Sequence, residues 1–162
     1  MKKIYKKGIR FECQGSSNCC VSHGKYGFVY LSKKDLKKIA TFFNLSILKF
    51  VNKFCDYTDN FLHLKETKKN GDCIFLNKKK CSIYKARPIQ CRTWPFWNEN
   101  MNVKTWNKEI INFCPGIGKG RKYNEKEIDN LLIKDKGNEK KIVKKDQLPD
   151  EINSISLNLP TK

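Results

Sequence analysis

Apolar residues in this chain recur with two periods, separated by lysine- and asparagine-rich breaks. Leu36, Ile39, Ala40 and Phe43 fall at i, i+3, i+4 and i+7, the spacing of a helix with one buried face. Ser32 precedes them, with Asp35 three residues on, an N-cap and an Asp variant of the capping box. "FNLS" ends this helix, and Ser46 caps a second one whose apolar residues are Ile47, Phe50, Val51 and Phe54. Two short helices joined by a tight turn predict a packed hairpin. Period-two segments predict strands: "GFVYLS" sets Phe28 and Tyr30 on one side, Val29 and Leu31 on the other. "FLHLKE" and "DCIFLN" predict two more, joined through "KKNGD", whose Asn70–Gly71 pair is a hairpin signal.

"VKTWNKEIINFC" predicts a short helix ending at Cys114–Pro115–Gly116, and Asn124 with Glu127 predicts a capped helix bearing Ile128, Leu131 and Leu132. Residues before Gly24 read as irregular, with a turn over Gly15, Ser16, Ser17 and Asn18. From Asp135 onward the chain is charged and aperiodic, so a loose tail is expected, with "ISLNL" able to pair with a strand. No internal repeat is visible. The pattern predicts a small α+β domain of short helices, a small antiparallel sheet and irregular cysteine loops stapled by metal. Residues 1–120 form the cysteine-bearing part, and residues 121–162 a C-terminal helix and charged tail.

Composition changes this picture in one respect. At 162 residues and 39% hydrophobic content, the core will be modest, and modest cores need a staple. The eight cysteines are candidates. "MKKIYKKGIRFEC" holds no apolar run of signal-peptide length, and no stretch approaches the roughly 18 apolar residues of a membrane span. The expectation is therefore a cytoplasmic protein with no membrane partner, whose reduced thiols bind metal.

The formal charge of +18 admits a nucleic-acid partner. Lysine spread evenly along the chain reads instead as solvated surface. The four arginines, Arg10, Arg87, Arg92 and Arg121, stand out against that lysine background, each within about seven residues of a cysteine. A retained arginine suggests a need for its planar, multi-donor head.

The cysteines are Cys13, Cys19, Cys20, Cys55, Cys73, Cys81, Cys91 and Cys114, and no two are spaced as CxxC. That counts against a zinc ribbon or a thioredoxin-type redox pair. Ligands must instead converge from distant loops. Adjacent Cys19 and Cys20 would face opposite sides in an extended backbone and one centre in a turn. Glycine beside a ligand leaves backbone N–H groups free to bond sulfur, and Gly15 and Gly116 stand in such positions. Cys55 continues the apolar face of the second helix, so it reads equally as a core thiol or a ligand.

Of the two histidines, His23 lies near the cysteine pair and is a further candidate ligand, whereas His63 sits in a strand and reads as structural. Arg87 and Arg92 flank Cys91, where positive charge would favour thiolate or hold an anion. Trp94, Phe96, Trp97 and Trp106 predict a hydrophobic shell that keeps water from the site. Asp35 and Asp72 read as cap and turn, so no carboxylate pair is expected to be catalytic. "GIGKG" has no preceding strand and is weak as a nucleotide loop.

"FECQGSSNCC", "HGKYGFVYLS", "CIFLNKKKCSIYKARPIQCRTWPFW" and "FCPGIGKG" together resemble the YkgJ-like cysteine-cluster family, a zinc- or iron-chelating domain. The resemblance runs from about Phe11 to Gly120. It implies that Cys13, Cys19, Cys20, Cys73, Cys81, Cys91 and Cys114 are the metal ligands, with zinc or iron as cofactor; the dispersed thiolates themselves also admit an iron–sulfur cluster. Ser16 stands where the commoner family pattern has another cysteine. The resemblance implies no reaction. A centre with an open coordination position beside Arg87, Arg92 and His23 would be a metal-dependent enzyme acting on a protein side chain or small molecule.

Overall fold

The computed structural model describes residues 3–21 and 27–148. His23 and the "ISLNL" segment lie outside the described residues.

The helical expectations hold through their caps. Helix α1, Lys33–Phe42, starts at Ser32, whose Oγ accepts from Asp35 N at 3.3 Å while Asp35 Oδ2 accepts from Ser32 N at 3.2 Å. Helix α2, Ile47–Phe54, is capped by Ser46 Oγ, which accepts from Lys49 N. The two pack as the expected hairpin. Phe43, Phe50, Phe54 and Phe75 form a cluster of aromatic rings with centroids 5.1–6.4 Å apart.

Strand pairing departs from the sequence reading. Cys55 does not continue α2: it opens β2, Cys55–Thr58, which pairs with β3, Phe61–Leu64. Asp59 and Asn60 turn this hairpin at φ 50° and 70°, a left-handed pair that Asp and Asn tolerate. The Asn70–Gly71 turn is real, but it joins only a single bridge, Glu66 to Cys73, with Thr67 N donating to Asp72 O at 2.7 Å. Residues 29–31 run beside β3, with Leu31 N donating to Leu62 O and Leu64 N to Val29 O.

The next elements are β4, Leu76–Asn77, β5, Lys80–Cys81, and α3, Ile89–Thr93. The predicted helix near Trp106 is built as α4, Val103–Thr105, a π-helical segment, Trp106–Ile110, and α5, Ile111–Phe113. The N-terminal segment is not wholly irregular: β1, Ile9–Phe11, pairs with β6, Ile117–Tyr123. All of "GIGKG" after Gly116 thus belongs to a strand. A Cβ at Gly116 would collide with the Glu12 carbonyl, and Gly120, at φ +60°, is packed against the Glu12 side chain.

Helix α6, Glu125–Glu139, begins with the expected Asn124–Glu127 capping box. The chain beyond Asp135 is not loose as far as residue 148. Val143 is fully buried, and its N–H and carbonyl bond Leu31 and Leu62. Two cores result. One gathers α1, α2, β3 and Val143, and the other gathers Tyr5, Trp94, Phe96, Trp106, Ile110, Cys114, Ile128 and Leu132. The architecture is the predicted α+β class with short two-stranded antiparallel ribbons. Among the described residues, no helix is long and apolar enough to cross a membrane.

Candidate metal centre

The dispersed cysteines are brought together by backbone and amide contacts. Asn18–Cys20 forms a 3₁₀ turn, with Cys20 N donating to Ser17 O at 2.7 Å. Ser17, at φ 67°, donates from Oγ to Lys79 O at 2.6 Å, and Asn18 Nδ2 donates to Phe113 O at 2.6 Å. The turn is thereby tied both to the β4–β5 ribbon and to the end of α5. Cys73 N donates to Cys20 O at 2.8 Å. Lys78 and Lys79, both left-handed, turn the ribbon that carries Cys81 opposite Leu76.

Cys91 rides on α3, whose first turn is clamped from two sides. Asp35 Oδ1 accepts from Ile89 N at 2.9 Å. The Gln90 amide accepts from Tyr30 N at 3.0 Å and donates to Phe28 O at 3.1 Å.

These contacts place six thiols, Cys13, Cys19, Cys20, Cys73, Cys81 and Cys91, around one cavity of about 400 Å³. It lies between the two cores: Val29, Leu64 and Ile83 close one side, Trp94, Trp97 and Phe113 the other. An adjoining space of about 30 Å³ is lined by Cys13, Cys19 and Cys114. The Cys19–Cys20 pair takes the turn alternative: its sulfurs are 3.9 Å apart, both thiols line the larger cavity, and Cys19 reaches the smaller one as well.

Burial pushes the Cys73 thiol up to about 11 and raises Cys81, Cys91 and Cys114 as well. Cys20 is raised most by its contact with Cys19, then by burial. Specific donors oppose this. Backbone N–H groups two residues on donate to sulfur in three cases: Phe75 to Cys73, Ile83 to Cys81 and Gly116 to Cys114. The Trp94 indole also donates to Cys114, and the Arg87 charge favours thiolate at Cys81 and Cys91. Such N–H···S bonds stabilise negative sulfur and orient it toward a metal.

Other candidates divide. Trp94 and Trp97 line the cavity, their rings edge-to-face at 4.7 Å. Phe96 does not; it is buried in the second core against Phe11 and Tyr123. Arg87 lines the cavity, but Arg92 is exposed and lines neither space. Successive residues on a helix point about 100° apart, so α3 can turn Cys91 inward only by turning Arg92 out.

Cys55 is buried in the first core, away from both spaces, and burial alone dominates its raised thiol. His63 is structural as expected. Its Nδ1 donates to the Leu64 carbonyl at 2.8 Å, and its Nε2 shares a hydrogen bond with Thr58 Oγ1 at 3.0 Å.

Sequence reasoning missed Gln90, Asn18 and Ser17, whose polar side chains hold the loops in place. Their nearness to cysteines was the available signal. It also missed Glu99, Asp135 and Glu139, whose carboxylate oxygens lie within 4.8 Å of one another, away from both cavities. Burial, then the Glu99 charge, pushes Asp135 up to about 7, against a hydrogen bond from Thr93 Oγ1. No periodicity links residue 99 to residue 135.

Comparison with known proteins matches residues 12–115 to the family model CxxCxxCC, described as "Putative zinc- or iron-chelating domain". An uncharacterized protein of Methanocaldococcus jannaschii is 32% identical over 120 residues, which cover 70% of this chain and 62% of that protein. The chain thus spans less than two thirds of that relative's length. No solved structure matches.

Proposed function

The chain belongs to the CxxCxxCC family of zinc- or iron-chelating domains, and from that premise we propose that its cavity thiols hold a zinc or iron centre of more than one metal ion. The proposed ligands are drawn from Cys13, Cys19, Cys20, Cys73, Cys81, Cys91 and Cys114. The observation that carries this reading is their convergence from six separate segments onto two adjoining spaces, three of them with N–H···S support.

The donor set fits the group. Thiolate is a preferred ligand for zinc and for iron–sulfur clusters. A tetrahedral ion with sulfur at about 2.3 Å draws its ligands to about 4 Å from one another. Cys19 and Cys20 meet that spacing, but among the described residues no three thiols lie within 4.8 Å of one another. Seven thiols spread more widely suit two zinc ions or an iron–sulfur cluster better than one closed mononuclear site. A bound cation would compensate the burial that raises Cys73, Cys81, Cys91 and Cys114, and would favour release of their protons.

Within this reading, residues 1–120 carry the metal and residues 121–148 brace them. The cytoplasm, where such thiols stay reduced, is the fitting compartment. Anaerobic purification with elemental analysis and a visible spectrum tests the proposal. More than one zinc or iron per chain is expected, with a charge-transfer band if the centre is iron–sulfur. A folded chain carrying neither metal would overturn it.

A further inference from the structure

The cavity is larger than thiolate ligation requires. At about 400 Å³ it falls within the roughly 300–1,000 Å³ of small-molecule sites. Its charged lining is one-sided. Lys79, Lys80 and Arg87 border it, and among the described residues no Asp or Glu does.

Arg87 is pre-positioned. Its Nε donates to Tyr84 O at 3.1 Å, its guanidinium lies 3.6 Å over the Tyr84 ring, and among the described residues it has no carboxylate partner. Offsetting thiolate charge needs only a cation, which lysine supplies. A planar two-nitrogen edge suits a carboxylate or phosphate. In a chain with 30 lysines and four arginines, an arginine side chain lines the thiol cavity.

We propose that the space beside the metal centre binds a small organic anion, its carboxylate or phosphate group held by Arg87 and its apolar body against Ile83 and Trp97. This deepens the metal-centre reading, because it names what fills the rest of the same cavity.

The test titrates the protein as purified, with its metal, using benzoate, phenyl phosphate and uncharged benzamide, read by tryptophan fluorescence. At least one anion should quench saturably and benzamide should not; the tighter anion identifies the head group. Arg87→Gln should weaken binding at least about tenfold, the loss of a charge-assisted pair, and by far more than it lowers metal content. Arg87→Lys should fall between. Arg121→Gln, an equal charge loss at an exposed residue stacked on Tyr123, should bind as wild type.

No saturable quenching by either anion overturns the inference. Equal weakening by Arg121→Gln does so too, because diffuse charge would then explain binding. Loss of metal in step with anion affinity in Arg87→Gln would mark Arg87 as a counter-charge for the thiols, and likewise overturns it. A metal-free wild-type chain that still binds the anions through Arg87 would retire the metal reading and support this one.

Discussion

Asp35→Asn is the sharpest test of how the site is held. Asp35 is 1% exposed and accepts from three donors: Ser32 N at 3.2 Å, Ser32 Oγ at 2.6 Å and, across the fold, Ile89 N at 2.9 Å. Asparagine keeps the volume but has one acceptor oxygen. It can satisfy the Ser32 side or the Ile89 side, and its NH₂ then opposes an N–H donor on the other. The loss is a charge-assisted hydrogen bond, about 1.5–3 kcal/mol, with an orphaned donor adding about 1–3 kcal/mol. Since the two overlap, about 2–4 kcal/mol is expected. For a chain of this size, that lowers Tm by roughly 5–15 °C.

Ser32→Ala is the control: it removes the cap, at about 1 kcal/mol, and leaves the Ile89 contact in place. Melting followed by far-UV circular dichroism, with metal content per chain, measures both. Because Ile89 begins the helix that carries Cys91, Asp35→Asn should also lower metal content more than Ser32→Ala does. A cost below 1 kcal/mol, or equal costs for the two variants, refutes the claim that Asp35 clamps α3.

Cys55→Ala should cost about 1 kcal/mol of core packing and leave metal content unchanged, whereas Cys91→Ala should reduce metal; equal metal loss would place Cys55 in the centre. Gly116→Ala should destabilise by about 1–3 kcal/mol through its collision with the Glu12 carbonyl, and wild-type melting would contradict the tight β1–β6 approach. Asp135 should make stability fall as pH rises from about 4 to 7. With its folded pKa raised from 3.8 to about 7, the unfolded chain releases the proton first, whereas below 3.8 both states hold it. Asp135→Asn should therefore match wild type near pH 4 and exceed it at pH 8 by about 1–4 kcal/mol; a pH-independent difference between the two melts would exclude this.

Helix starts were legible because they are local. Ser32 with Asp35, Ser46, and Asn124 with Glu127 each act within three residues, and each forms the bond its spacing implies. Strand partners were less legible. Asp59–Asn60 and Asn70–Gly71 are both competent turns, and only packing against residues 29–31 and Val143 makes the first the longer ribbon. Pairing of β1 with β6 joins residues over 100 positions apart, a separation no local period reports.

At the site, cysteine identity was readable and orientation was not. Arg87 and Arg92 both flank Cys91 in the sequence, four residues before it and one after, yet only Arg87, which precedes α3, lines the cavity. The second role of Asp35, bonding Ile89 as well as its own cap, was equally hidden, since nothing near residue 35 points to residue 89.

Glu12 N donates to Gly116 O at 3.1 Å, at the two margins of the family match. The cysteine-bearing stretch thus leaves and re-enters the chain at a single point of antiparallel pairing. A segment with touching ends is portable: it can replace the turn of a hairpin in an unrelated host without changing the host's strand spacing. In this chain β1 and β6 serve as the handle for such a cassette. Grafting it elsewhere would require two neighbouring antiparallel strands, a glycine where residue 116 now stands, and a replacement for the packing that Val143 and α6 supply to the two cores.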